Sequence, residues 1–160
     1  MTKKKEPACY VLTVSTKFPK GMANAGQPTN FENNVLDQSK GHTIRGNYKY
    51  WKYRIDQINR GNAYLSVRKW TGRPYNSEQE EIATFGKGQV AIQKIAIGKI
   101  FCQVAPASGI HQDNYTMEVP TAIISHKDGL SYEDFLDWFR NDMGKEFCII
   151  HFTNKPYQDE

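Results

Sequence analysis

Short segments rich in apolar and β-branched residues recur along the chain, and they constrain its fold more than any other feature of the sequence. Successive side chains of a strand point to opposite faces, so alternation of this kind is typical of half-buried strands. Segments rich in Gly, Pro and Asn lie between several of them and predict loops. The strand-like segments are 8–18, 63–71, 81–85, 89–97, 99–105, 115–124 and 147–153.

Helical periodicity occurs in other parts of the chain. Tyr48 and Trp51 begin a series of apolar residues spaced three to four apart, and both are predicted to anchor a helix in the core. Asn30 and Ser131 are placed to act as N-caps of two further helices, and Gly144 is placed to end the last one. The helical segments are 31–40, 48–60 and 131–143. The elements together predict an α+β fold, with a small open β-barrel of about six strands and two or three short helices.

Two details of the strand segments predict local geometry. Gly86 and Gly88 lie between 81–85 and 89–97, so these two segments are predicted to pair as a hairpin. Pro120 interrupts the alternation of 115–124 and lacks a backbone N–H, which predicts an edge strand or a bulge at that position.

The length of 160 residues suits one domain. Residues 1–7 contain three lysines and are predicted to be a disordered basic tail, with a single domain over 8–160. No segment approaches the run of about 20 apolar residues that spans a membrane. The three cysteines form no Cys-x-x-Cys pair and lie in apolar segments, which predicts buried free thiols and a cytoplasmic protein without a metal or cofactor.

Charge is distributed unevenly along the sequence. Residues 40–73 contain nine Lys and Arg against Asp56 alone, a net charge of 9 − 1 = +8. Residues 112–160 contain ten Asp and Glu against four Lys and Arg, a net charge of 4 − 10 = −6. A local positive field suits a phosphate-bearing partner. The alternative is that the two parts fold against each other and neutralise one another in part.

The segment SKGHTIR, residues 39–45, contains the main candidate site residues. If residues 42–45 are extended, Thr43 and Arg45 point to one face, and Lys40 can reach the same space from the preceding turn. A lysine beside a guanidinium has its ammonium form disfavoured, so it can act as a base towards a hydroxyl nucleophile. Arg45 offers a planar fork to a carbonyl, a phosphate or a base edge. From the pattern alone, the favoured interpretation is that these are solvent-exposed surface residues without a functional role.

Other candidate binding residues flank this segment. Lys49 and Lys52 are predicted to face outward from the second helix, where they can contact phosphates, and Lys52 is placed to pair with Asp56. Arg68 and Trp70 share a strand face with Tyr64 and suit a stacking platform for bases, although packing of that face by residues 48–60 is the favoured interpretation.

The four histidines (42, 111, 126 and 151) show no spacing typical of metal ligands. They are therefore interpreted as solvated or core residues. His42 also lies inside the candidate segment and is included among its ligand-binding residues.

Residues 31–45, FENNVLDQSKGHTIR, resemble the beginning of ASCH domains, which belong to the PUA-like superfamily. In that family a short helix leads into a G-x-K-T-x-T-x-R-type segment that lines the cleft of a small β-barrel. Lys40, Thr43 and Arg45 match its lysine, second threonine and arginine, although Gly41 follows the lysine here and the family's glycine precedes it. Residues 126–139, HKDGLSYEDFLDWF, resemble the family's acidic loop and following helix, with Asp128 at the acidic position.

The resemblance implies a bacterial or phage protein with a PUA-like barrel and a cleft formed by the Lys-xx-Thr-x-Arg segment and the acidic loop. It implies a module that binds a nucleobase, nucleotide or RNA. An alternative is a small amidohydrolase that acts on N4-acylated cytidines, with Lys40 as base, Thr43 as nucleophile, Asp128 as acidic partner and Arg45 holding the substrate. A second alternative is a protein-interaction domain without a ligand, which would use the acidic region 112–160.

Overall fold

The computed structural model describes residues 5–158, and within them the chain forms eight strands and four helices. Most of the predicted basic tail, residues 1–4 of 1–7, lies outside the described residues. The strands are β1 Ala8–Thr13, β2 His42–Arg45, β3 Ala63–Trp70, β4 Gln79–Phe85, β5 Ala91–Ala96, β6 Phe101–Val104, β7 Met117–Pro120 and β8 Glu146–His151. The helices are α1 Phe31–Leu36, α2 Tyr48–Asn59, α3 Thr121–Lys127 and α4 Tyr132–Trp138.

The strands form two separate sheets. A three-stranded sheet has the order β1-β3-β4, and a five-stranded sheet has the order β2-β8-β5-β6-β7. Only the β1–β3 pair is parallel among the strand pairs of the described residues. The predicted α+β class is confirmed, but these strands form no closed barrel, and they outnumber the six expected.

The predicted hairpin between β4 and β5 is wrong. β4 pairs with β3 in the smaller sheet, whereas β5 lies between β8 and β6 in the larger one. Ile92 and Ile95 of β5 are buried and pair across to β8. Pairing with a strand on each edge makes β5 a central strand, and this long-range pairing outweighs the local turn signal at 86–88.

The prediction for residues 115–124 is correct only up to Pro120. β7 ends there, and α3 begins at Thr121, whose side-chain hydroxyl donates to the Gly98 carbonyl at 2.7 Å. Proline has no N–H to donate to a ladder, and its fixed φ suits the beginning of a helix. Thr121 and Ile124 therefore lie on the inner face of α3, where Ile124 is fully buried, whereas Ile123 is exposed.

The other helices occur where periodicity predicts them, but α1 and α4 are shorter than expected. Ser131 caps α4 as predicted, since its side-chain oxygen accepts from the Asp134 N–H at 3.1 Å. Asn30 precedes α1 without a side-chain capping bond. The hydroxyl of Thr29 accepts the Phe31 N–H instead, at 3.3 Å.

Helix α2 joins the two sheets into one core. It contacts β3 of the smaller sheet and β5 and β8 of the larger one. Trp51, Ile55 and Ile58 are buried on its inner face, and Tyr48 packs against the same core with partial burial. The predicted anchoring of this helix by Tyr48 and Trp51 is therefore confirmed.

The cysteine prediction holds for two residues of three. Cys102 and Cys148 are buried free thiols, but Cys9 is exposed near the beginning of the edge strand β1. Within residues 5–158, no helix has the length and apolarity needed to cross a membrane.

We expect Ile95→Ala to lower the free energy of unfolding by about 2–5 kcal/mol, because it leaves a cavity where a fully buried side chain packs. Urea denaturation measures this change. Ile123→Ala is the matched control, since Ile123 is 46% exposed on α3, and we expect it to cost less than about 0.5 kcal/mol. Equal losses in the two variants would contradict the assignment of the core.

Candidate functional site

The chain after α1 turns back beneath that helix and buries Lys40. The turn passes through Gln38 at a φ of 70°, and the Lys40 N–H donates to the Asn34 carbonyl at 2.8 Å. Only 2% of Lys40 is exposed, and its Nζ lies 4.1 Å from the centre of the Phe31 ring. A lysine in such a position needs a polar partner, because burial of an unpaired charge is costly.

Asp128 at the end of α3 is that partner. Lys40 Nζ donates to the Asp128 backbone carbonyl at 2.6 Å and lies 3.4 Å from its Oδ1. Gly129 allows this approach, since its φ is +80° and a Cβ there would lie 3.2 Å from the Lys40 Cβ. The structure thus brings together Lys40 and Asp128, which are 88 residues apart in sequence.

His42 extends the contact on the other side of Asp128. Its Nδ1 lies 3.0 Å from Asp128 Oδ1, and its Nε2 lies 2.8 Å from the Tyr157 hydroxyl. A neutral imidazole that donates from Nδ1 to the carboxylate accepts the Tyr157 O–H at Nε2. We call Lys40, His42, Asp128 and Tyr157 the buried cluster.

Gln93 and His151 hold Tyr157 in place from β5 and β8. Gln93 Oε1 accepts the Tyr157 N–H at 2.8 Å, and Gln93 Nε2 donates to the Tyr157 carbonyl at 2.9 Å. His151 Nε2 lies 2.8 Å from the same Gln93 Oε1. Lys127 Nζ lies 4.7 Å from the centre of the Tyr157 ring. Sequence reasoning missed Gln93 and Tyr157, because no short motif links them to residues 39–45.

Burial shifts the ionisation of these groups. Desolvation lowers the pKa of Lys40 although Asp128 favours its charged form, and desolvation also lowers the pKa of His42. The pKa of His151 lies well below its ordinary value for the same reason, with smaller contributions from His42 and Lys127. Burial raises the pKa of the Tyr157 hydroxyl. The two histidines are therefore neutral at physiological pH.

Thr43 and Arg45 lie on the strand face opposite His42, since side chains alternate along β2. Thr43 is 3% exposed, and within the described residues its hydroxyl makes no hydrogen bond to Lys40 or Asp128. Arg45 Nη2 donates to the Thr13 carbonyl at 2.5 Å and Nη1 to the Ile44 carbonyl at 3.2 Å. Burial lowers the pKa of Arg45, whose guanidinium braces the end of β1.

A cavity of about 870 Å³ opens beside that end of β1, and we call it the aromatic cavity. Trp70 and Tyr75 line it, together with the basic residues Lys17, Lys69 and Arg73. Its remaining lining residues are Thr13, Val14, Ser15, Thr16, Pro19, Thr71, Gly72, Pro74 and Glu80. Lys40, Thr43 and Asp128 do not line it.

The loop between β3 and β4 presents the aromatic residues of this cavity. Ser77 holds the loop together, since its Oγ accepts the Gly72 N–H at 3.0 Å and donates to the Arg73 carbonyl at 2.8 Å. Tyr75 has a φ of +64°, which is rare for a bulky residue, and is 87% exposed. Its ring centre lies 5.2 Å from that of Trp70. Backbone strain and an exposed ring at one position point to a functional loop.

The remaining predicted binding residues lie elsewhere. Lys49 and Lys52 line a smaller cavity of about 390 Å³ with Lys94, and Lys52 pairs with Asp56 at 3.0 Å as predicted. Arg68 donates to Ser66 Oγ, Gln79 Oε1 and Cys9 Sγ within the smaller sheet and lines neither cavity. Only Trp70 of the predicted stacking platform therefore lines the aromatic cavity.

Residues 5–158 contain no group of three His, Cys, Asp or Glu side chains arranged to hold a metal ion. His111 and His126 are exposed, whereas His42 and His151 are buried.

Comparison with known proteins gave no match, whether with protein-family models, with curated proteins or with solved structures.

We expect Asp128→Asn to lower the free energy of unfolding by about 3–5 kcal/mol, because it removes the charge that compensates a buried lysine. Asp56→Asn removes a carboxylate from a partly exposed pair with Lys52 and should cost less than about 1 kcal/mol. Chemical denaturation of both variants measures the difference. Similar small losses in both would show that Asp128 does not compensate Lys40.

Acid should destabilise the protein through its buried histidines. Burial lowers the pKa of folded His42 and His151, whereas the histidines of the unfolded chain bind protons below a pKa of about 6.5. Their contribution is present above that pH and is lost as pH falls towards 5, by up to about 1.4 kcal/mol per pH unit for each histidine. Denaturation at pH 7 and pH 5 measures the loss.

The control for this pH dependence is His126→Gln, because His126 is exposed and its replacement should leave the dependence unchanged. His151→Gln should reduce the pH dependence whatever its effect on stability at pH 7. An unchanged pH dependence in His151→Gln would contradict the role of buried histidines.

Proposed function

We propose that the protein binds a nucleobase, as part of a nucleotide or an RNA, in the aromatic cavity. The observation that carries this proposal is a cavity of about 870 Å³ in which the Trp70 and Tyr75 rings stand beside cationic side chains. Small-molecule sites commonly enclose about 300–1,000 Å³. Stacking on an aromatic side chain contributes about 1–3 kcal/mol per base and tolerates any base.

The charges near the cavity favour a phosphate-bearing ligand. Lys69 pairs with Glu32, but Lys17 and Arg73 form no ion pair with a described carboxylate, so both are available to phosphate oxygens. Five other cations of residues 40–73 also form no ion pair with a described carboxylate, namely Arg45, Lys49, Arg54, Arg60 and Arg68. The net charge of +8 over 40–73 is thus only partly neutralised by the fold.

The acidic region 112–160 uses a larger share of its described charged side chains in internal ion pairs. Asp128 pairs with Lys40, Glu146 lies 3.4 Å from Lys94, and Asp137 and Asp142 pair with basic residues of their own region. These internal pairs leave less acidic surface for a protein partner. The alternative of an interaction domain without a ligand therefore has less support than nucleotide binding.

The amidohydrolase is the second candidate, and the contact between Lys40 and Asp128 favours it. Two features count against it: Lys40 is 2% exposed, and the Thr43 hydroxyl is not bonded to it. Incubation with N4-acetylcytidine followed by chromatography decides the matter, because release of cytidine that depends on Lys40 would establish this activity.

Membership of the ASCH family is also a proposal. Its support is the approach of Lys40 to Asp128, the two positions that match the family's lysine and acidic residue. A PUA-like barrel has less support, since the strands form two sheets. In this proposal the buried cluster fixes the position of β2, whose Arg45 braces the cavity wall at Thr13.

We expect Trp70→Ala to weaken the binding of a ribonucleoside monophosphate by about 10- to 100-fold, because it removes one stacking partner of the base. Isothermal titration with AMP, GMP, CMP and UMP measures the affinities. Phe101→Ala is the control, because Phe101 is 49% exposed on β6 and lies outside both cavities.

Binding should also weaken steeply as salt rises, since phosphate contacts release counterions. Equal affinities of the Trp70 and Phe101 variants, or no nucleotide binding by the unchanged protein, would overturn the proposed function.

A further inference from the structure

β1 forms an edge of the smaller sheet and carries none of the features that usually protect such an edge. Its sequence, ACYVLT, contains no charged residue and no proline, which are the residues that keep an edge strand from pairing with another chain. The opposite edge strand, β4, contains Glu80 and Glu81. The outer strands of the larger sheet, β2 and β7, are only four residues long, and β7 ends in Pro120. Among the strands of residues 5–158, β1 therefore has the long, unprotected edge.

Alternate residues of β1 direct their backbone groups towards β3. At the two ends of the parallel pair, the Ala8 N–H donates to the Asn62 carbonyl at 3.0 Å, and the Val14 N–H donates to the Arg68 carbonyl at 2.9 Å. Backbone groups of neighbouring residues in a strand point to opposite sides. The even-numbered residues of β1 thus pair with β3, and the odd-numbered residues face away from it.

Cys9 and Val11 therefore direct four backbone groups, two N–H and two C=O, towards the free edge. Over the described part of the chain, none of these four groups forms a hydrogen bond. The next outward carbonyl, that of Thr13, accepts from Arg45 Nη2, so the free stretch ends there. Unpaired backbone groups at a sheet edge are the template onto which an extended peptide adds as a further strand.

Arg54 of α2 places an unpaired positive charge beside this edge. Its guanidinium carbon lies 4.6 Å from the centre of the Tyr10 ring and 4.0 Å from that of the Tyr50 ring. Arg54 forms no hydrogen bond and no ion pair with any residue of 5–158. Tyr10 shares its strand face with the buried Leu12. In an added strand, the residue opposite Tyr10 points to that same face with its Cβ about 4.5–5.5 Å away, which puts its side chain within reach of Arg54.

We propose that β1 binds an extended segment of another protein as an added antiparallel strand, with an acidic side chain opposite Tyr10 that pairs with Arg54. Two residues of the segment exchange four backbone hydrogen bonds with Cys9 and Val11, and the acidic residue lies between them. Backbone pairing supplies the affinity, and the charge-assisted contact with the guanidinium supplies the specificity. Cys9, Val11 and Arg54 do not line the aromatic cavity, so this inference is independent of the proposed function.

A second copy of this chain fits the edge less well than an acidic segment does. Antiparallel pairing of two β1 strands places the Arg54 of each copy at the shared edge, and lysines of residues 3–5 lead into both strands. Like charges that face each other across a strand pair or an interface are unfavourable. A segment with a glutamate or an aspartate brings the opposite charge to Arg54.

The test titrates isotope-labelled protein with the capped pentapeptide TVEVT and follows the backbone amides by NMR. We expect the Cys9 and Val11 amides to shift most, and TVQVT to bind about 5- to 10-fold more weakly because it lacks the charge. Methylation of both valine nitrogens removes two of the four backbone hydrogen bonds and should weaken binding at least about tenfold. The matched control is methylation of the glutamate nitrogen, which points away from β1 and should change the affinity by less than about twofold.

Variants of the protein test the role of Arg54. Arg54→Gln should bind TVEVT and TVQVT equally. Arg60→Gln removes the same charge from an exposed position at the end of α2 and should keep the preference for TVEVT. If Arg54→Gln fails to fold, the comparison of TVEVT with TVQVT on the unchanged protein still decides the matter.

Four results would overturn the inference. They are no shift at Cys9 and Val11, equal binding of the valine-methylated and unmethylated peptides, equal binding of TVEVT and TVQVT by the unchanged protein, and a preference for TVEVT that survives in Arg54→Gln. Shifts of the Cys9 and Val11 amides that depend on protein concentration without peptide would also overturn it, because a second copy would then occupy the edge.

Discussion

The carboxylate of Asp128 is the constraint on which the arrangement of this protein depends. It contacts a buried lysine and a buried histidine, so one charge joins the segment before β2 to the end of α3. A buried ion pair contributes little net stability compared with apolar packing, but loss of one partner is costly. The buried cluster therefore determines where β2 lies. Through Arg45 of β2 it also positions the end of β1, beside which the aromatic cavity opens.

The two sheets have different roles in the structure. The larger sheet contains Gln93, His42 and His151 and supports the buried cluster, where every polar group has a partner. The smaller sheet has free edges and an exposed loop, and it contributes the Trp70 and Tyr75 rings. A rigid polar interior beside a loop with strained backbone suits a binding module, because the rigid part supports the exposed contacts.

Local features of this fold could be read from the sequence, whereas its long-range pairings could not. The Ser131 cap, the Lys52–Asp56 pair and the inner face of α2 follow from spacings of three or four residues. The pairing of β5 and the helical state of α3 were predicted wrongly, because partners far along the chain decide both. At the candidate site, the sequence indicated Lys40, Arg45 and Trp70, but neighbouring positions could not show which of them face a cavity. Gln93 and Tyr157 gave no signal, because their roles arise only from folding.

The pairing of β2 with β8 affects how the protein folds during its synthesis on the ribosome. His42 pairs with His151, and Arg45 with Cys148, so the first strand of the larger sheet meets its neighbour only after about a hundred further residues have been made. Contacts of such separation form slowly, and domains fold as units during synthesis. Lys40 and His42 thus remain hydrated until Asp128 and β8 have been synthesised. The interior environment of His42 is complete only after Tyr157 has been made, because the Tyr157 hydroxyl contacts His42 Nε2.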